Sequence, residues 1–149
     1  MAIVLLTGMS GTGKSTVLAE LQARGYNTVD TDYGPWTLPD GTWDEHRMKE
    51  LLAHNHELII SGTVENQGNF YDHFDHVILL SAPLAILMQR VKTRTNNNYG
   101  KTREQQSQIA ADKQSIEPIL RRGATAELDA CQPVAEIANS IEVLLARLH

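Results

Sequence analysis

Residues 8–15 read Gly8-Met9-Ser10-Gly11-Thr12-Gly13-Lys14-Ser15, a complete G-x-x-x-x-G-K-[ST] pattern. No other stretch narrows the possible folds so far, because the pattern has a physical use where a buried strand turns into a helix. Upstream, Ile3-Val4-Leu5-Leu6 is the short unbroken apolar run expected of a strand covered on both faces. Downstream, Val17, Leu18 and Leu21 recur at helical spacing, and Arg24-Gly25 closes that helix with a basic last turn and a glycine cap. Glycines let the loop curl so that successive N–H groups face phosphate oxygens, and the helix start adds the positive end of its dipole. Lys14 then supplies a point charge to the β- and γ-phosphates, the Ser15 hydroxyl is a ligand for the bridging Mg²⁺, and Thr16 reaches the α-phosphate. Gly8 to Thr16 is thus read as a cradle for Mg·ATP.

The 149 residues are enough for one domain with a real core and leave no room for a second. A net charge of −5 disfavours binding of long nucleic acid through its phosphates, so small-molecule partners fit better. The single cysteine, Cys131, rules out an internal disulfide. The apolar start is too short for a signal sequence or a membrane span, and the expected location is the cytoplasm, as a monomer or a dimer.

The rest of the chain alternates strand and helix. Tyr26-Asn27-Thr28-Val29 reads as a second strand that delivers Asp30 and Asp32 at its carboxyl end, and Tyr33 to Thr42 is a loop rich in glycine and proline. Asp44 to His54 is helical, Leu58-Ile59-Ile60 is a third strand ended by Gly62, and His76 to Leu80 is a fourth. Pro83 opens a helix with apolar positions Leu84, Leu87, Met88 and Val91, whose other face holds Arg90 and Arg94. Thr102-Arg103-Glu104-Gln105 can form a capping box for the next helix, which Pro118 kinks or restarts. Ala126 to Asp129 is a fifth strand, and Val134, Ile137, Ala138, Ile141, Leu144 and Leu148 make the stripe of a last helix entered at Pro133. The expected fold is three-layer α/β/α, a five-stranded parallel sheet in a single domain of residues 1–149.

A phosphate loop does not by itself distinguish kinase, GTPase and motor ATPase. No Asn-Lys-x-Asp for guanine recognition is present, and the third strand ends in Ser61-Gly62-Thr63 with no acidic residue for a Walker B site. Asp30, at the end of the second strand, is the nearest carboxylate in topology and becomes the expected magnesium partner beside Ser15. Arg90 and Arg94 of the third helical segment can both stabilise charge on a transferring phosphoryl group.

The chain resembles the P-loop nucleoside monophosphate kinase-like family, and within it the shikimate kinase and gluconate kinase branch. The resemblance rests on the loop at 8–15, Asp30-x-Asp32, the Arg47-x-x-Glu50 helix, Arg90 and Arg94 before a lid-like loop, and Pro118-Ile119-Leu120 leading to Leu128-Asp129. It implies a phosphotransferase that moves the γ-phosphoryl group of Mg·ATP to a small hydroxyl- or phosphate-bearing acceptor. By the same resemblance Asp32 is the base, Lys14, Arg90 and Arg94 are catalytic, and adenine lies near Arg90 and Cys131-Gln132-Pro133. An acceptor segment at about 33–56, with Arg47, Gly62 and Asn66 in contact, and a lid at about 95–103, with Lys101 and Arg103 swinging in, complete the expectation. Tyr33, Trp36 and Trp43 are expected in the acceptor loops.

Two departures count against shikimate as the acceptor. A triple-glycine turn is replaced by Gly62-Thr63-Val64, and Glu117 stands where an arginine would hold the acceptor's carboxylate. The alternative to a kinase is a nucleotide-binding regulatory P-loop ATPase that has no small-molecule acceptor.

Overall fold

The computed structural model describes residues 2–95 and 97–146. Leu148, expected in the last helical stripe, and Asn96, expected in the lid, lie outside the described residues.

Five strands, β1 (Ile3–Gly8), β2 (Thr28–Asp30), β3 (Leu58–Ser61), β4 (His76–Ser81) and β5 (Ala126–Asp129), form one sheet in the order β2-β3-β1-β4-β5. Every neighbouring pair is parallel. The central strand needs cover on both faces, and its side chains alternate to provide it. Val4 and Leu6 join one core with Val17, Leu21, Leu87 and Ile141, whereas Leu5 joins another with Trp43, Met48, Ile60 and Phe70.

Among the described residues six helices flank the sheet: α1 (Lys14–Ala23), α2 (Glu45–Ala53), α3 (Leu84–Thr93), α4 (Arg103–Ser115), α5 (Glu117–Gly123) and α6 (Val134–Ala146). Gly25 and Tyr26 donate to Gln22 and Leu21 carbonyls and close α1 as the glycine predicts. The Asp44 side chain accepts from the Arg47 N–H to start α2, and Thr102 with Gln105 forms the expected capping box of α4. Pro118 restarts the helix: α4 ends at Ser115 and α5 carries the proline in its first turn. A 3-10 helix at Gln67–His73, which lacks a 3.6-residue apolar stripe, was not legible in the sequence.

Chain connections leave β1 and β3, which are neighbours, towards opposite edges of the sheet. This arrangement opens a crevice at their carboxyl ends, where the loop at 8–15 begins.

Candidate phosphate-loop site

Strand β1 ends at Gly8, and α1 starts at Lys14 behind Gly13, which caps the helix with a φ of 88° in the left-handed region that glycine tolerates. The Thr12 hydroxyl donates to the Met9 carbonyl at 2.9 Å and closes the turn from within. A residue discounted in the sequence holds the loop's entry. Thr63 Oγ1 donates to the Gly8 carbonyl at 2.6 Å, accepts from the Gly8 N–H at 3.2 Å, and lies 3.0 Å from Thr7 Oγ1. Thr63 thus ties the end of β3 to the loop, although it carries no charge.

Lys14 Nζ donates to the Gly8 carbonyl at 2.6 Å and more distantly to the Met9 carbonyl at 3.4 Å. Burial lowers its pKa from the ordinary lysine value, with Asp32 and Asp30 pulling the other way. One residue on, Ser15 Oγ donates to Asp30 Oδ2 at 2.6 Å, so the two expected metal partners are brought together. Two hard oxygens at this spacing suit an oxygen-seeking divalent cation. Among the described residues no cluster of three or more His, Cys, Asp or Glu side chains forms a separate metal site. Asp32 keeps solvent-accessible surface at the cleft floor, yet the surrounding walls thin the water round its carboxyl and push its pKa above the usual aspartate value.

Two cavities meet at this point. A cleft of about 420 Å³ runs along the loop from Ser10 to Val17 and on past Arg90, Arg94, Gln132 and Ile137. A smaller one of about 210 Å³ lies against Gly8, Met9, Thr63 and Tyr99. Ser10, Lys14 and Asp32 line both.

The two arginines differ from the expectation of a shared helical face. Arg90 lies within α3 and is anchored: its Nη1 donates to the carbonyls of Gly11 and Thr12, each at 3.3 Å, and its Nη2 to Ala130 at 2.7 Å. Arg94 lies past the last turn with an extended backbone, because the chain leaves the helix at Thr93. Its Nη2 donates to the Tyr99 carbonyl at 2.7 Å, and its buried Nε has no partner among the described residues. Burial lowers its pKa from the ordinary arginine value. Both arginines nevertheless line the larger cleft.

Of the four residues expected near adenine, Arg90 and Gln132 line the cleft, whereas Cys131 is exposed with its N–H donating to Asp129, and Pro133 does not line it. Expected acceptor residues scatter further. Arg47 is half exposed and 3.6 Å from Asp44, outside both cavities. Asn66 spends both ends of its amide on the Trp43 backbone, at 3.0 Å each. Gly62 packs against Thr31 and Trp43, and Trp43 is fully buried. Tyr33 lines the larger cleft. Lys101 caps α3 through the carbonyls of Lys92 and Arg94, and neither Lys101 nor Arg103 reaches the cavities. Glu117 is buried away from both and paired with Lys113 at 2.9 Å and Arg121 at 2.8 Å. Its charge is thus balanced by Lys113 and Arg121 within the protein. The missed lining residues are Ile109, Asp112 and Ile116. Their spacing of three and four residues puts them on one side of α4, a signal that the sequence did carry.

A family profile described as an AAA domain matches residues 4–111. The chain belongs to the AAA domain family. A nucleotide-binding protein of Burkholderia ambifaria is 28% identical over 158 residues, covering 100% of this chain and 50% of the relative. The chain thus spans about half the length of the curated relatives it matches. Among solved structures, shikimate kinase from Acinetobacter baumannii in complex with shikimate aligns with a TM-score of 0.75 at 18% identity, covering 99% of this chain and 94% of that one. A gluconokinase from Sinorhizobium meliloti aligns with a TM-score of 0.61 at 19% identity, covering 99% and 93%. The AAA domain here has the P-loop kinase fold of the nucleoside monophosphate kinase-like branch, with a five-stranded parallel sheet between helical layers. Among the described residues no helix is long and apolar enough to cross a membrane.

Proposed function

We propose that this chain is an ATP-dependent phosphotransferase that moves the γ-phosphoryl group of Mg·ATP to a small acceptor. The observation that carries the proposal is the junction of two cavities at Ser10, Lys14 and Asp32. A donor nucleotide along the larger cleft and an acceptor in the smaller one would meet at the residues suited to transfer.

The loop N–H groups and Lys14 hold the β- and γ-phosphates, and Arg94, which lines the same cleft, adds positive charge beside them. Arg90 fixes the loop against Ala130 and borders the base and ribose side of the cleft. Ser15 and Asp30 would hold a Mg²⁺ ion, which would supply charge neutralisation to the transferring phosphoryl group. As the acceptor oxygen bonds to the γ-phosphorus, the bond to the β,γ-bridging oxygen breaks and ADP leaves. Asp32 receives the proton if the acceptor is a hydroxyl, and its raised pKa brings it nearer to that task at neutral pH.

ADP release from Mg·ATP, measured across polyols, amino alcohols, nucleosides, nucleoside monophosphates, sugar acids and hydroxylated antibiotics, tests the reading with Lys14→Ala as the blank. One acceptor class should stimulate turnover, and Lys14→Ala should abolish it. Retained turnover in that variant would refute the loop's role. The Burkholderia relatives are named for nucleotide binding alone, which is compatible with a second reading, a regulatory P-loop ATPase that has no small-molecule acceptor. A flat panel with ATP binding intact by calorimetry would select it.

A further inference from the structure

The smaller cavity has an unusual charge balance for a site next to a phosphate loop. Its charged side chains are Lys14, Asp32 and Asp112, and Lys14 faces the loop carbonyls where phosphate belongs. No arginine lines it among the described residues. Asp112 Oδ1 accepts from Gln108 Nε2 at 2.6 Å, and its second oxygen has no partner among the described residues. The Thr63 hydroxyl is used by Gly8, and Ile109 and Ile116 contribute only hydrocarbon.

An acid group on the acceptor would therefore enter beside two carboxylates with no guanidinium to receive it, and would lose its hydration without replacement. Hydroxyl or ammonium donors would instead satisfy the free carboxylate oxygen. Size points the same way. The cavity, about 210 Å³, lies below the roughly 300 Å³ at which sites for drug-sized ligands begin. We propose that the acceptor is a small polyol or amino alcohol without an acid group, donating to Asp112 with its reacting hydroxyl at Asp32. This rests on the phosphotransferase reading above.

The test sorts acceptors by charge on matched carbon skeletons: polyols, the corresponding amino alcohols, and the corresponding sugar acids and phosphate esters. ADP release is followed with the wild-type chain, Asp112→Asn and Asp112→Arg. Polyols or amino alcohols should stimulate turnover and the acids should not. Asp112→Asn should raise KM for the active class about tenfold or more, the loss expected for a charged hydrogen bond, while kcat changes far less. A merely structural role for Asp112 would instead lower the melting temperature and leave KM alone. Asp112→Arg should shift preference towards the acids. If acids are the better acceptors of the wild type, or KM is indifferent to Asp112→Asn, the inference falls and the phosphotransferase reading stands. If no arm stimulates turnover while calorimetry still detects Mg·ATP binding, the phosphotransferase reading itself fails and takes the inference with it.

Discussion

Gly62→Ala is expected to damage both stability and the site, although the position touches neither cavity. A Cβ added at Gly62 would lie 2.2 Å from Thr31 Oγ1. That hydroxyl cannot simply move aside, because it donates to the Ser61 carbonyl at 2.8 Å and accepts from Trp43 Nε1 at 3.0 Å. Rotating the threonine side chain would bring its methyl or hydrogen into the same crowded space and release the buried indole N–H. Overpacking of this kind costs about 1–3 kcal/mol, and an unpaired buried donor adds about 1–3 kcal/mol. A net loss of about 3 kcal/mol in a chain of this size lowers Tm by roughly 6–12 °C. Thr31 lies between Asp30 and Asp32, so the same displacement should reduce ATP turnover. Urea unfolding followed by tryptophan fluorescence supplies the free energy, and the Thr31→Ala background supplies the control. Removing the hydroxyl removes the atom that the new methyl meets, so Gly62→Ala should cost under about 1 kcal/mol there, a coupling typical of side chains in contact. An unchanged stability in the single variant, or the same penalty in both backgrounds, would refute the reasoning.

Three other expectations address metal binding, pH and the lid. Asp30→Asn should weaken Mg²⁺-dependent nucleotide binding by about 10-fold or more, as expected for loss of a carboxylate partner of Ser15, and calorimetry with and without Mg²⁺ checks this. Because burial raises the Asp32 pKa, acceptor-dependent kcat/KM should rise with pH through a value above the ordinary aspartate range and then level, and Asp32→Asn should erase that limb. For folding the sign is opposite: the raised carboxyl contributes stability that is full below its unfolded pKa and lost as pH rises through the folded one, which thermal melts against pH in Asp32→Asn would show. Thr102→Ala should remove the side-chain acceptor of the Gln105 N–H, cost about 1 kcal/mol, and speed hydrogen exchange at the start of α4.

The loop at 8–15, the strand order's five members and the restart at Pro118 were legible because each depends on local spacing: glycines at a turn, apolar runs in buried strands, a proline without an N–H. Asp30 was also reachable, since topology alone carries the end of β2 towards the phosphate loop. The acceptor side was not. Arg47, Asn66 and Lys101 were assigned from their positions along the chain, yet each side chain finds a nearby structural partner in Asp44, Trp43 or the end of α3.

Glu117 and Asp112 illustrate the difference. Both are acidic and only five positions apart. Glu117 pairs with Lys113 and Arg121, each four residues away along the helical path, while Asp112 stays with Ile109 and Ile116 at the smaller cavity. The sequence alone determined the phosphate cradle and the layered sheet, because short-range periodicity and backbone constraints specify them. Only the tertiary structure decided which charges line the second cavity, because that depends on how α4, packed on α3 and α5, is set beside the loop, and no spacing within one element records the distance to another.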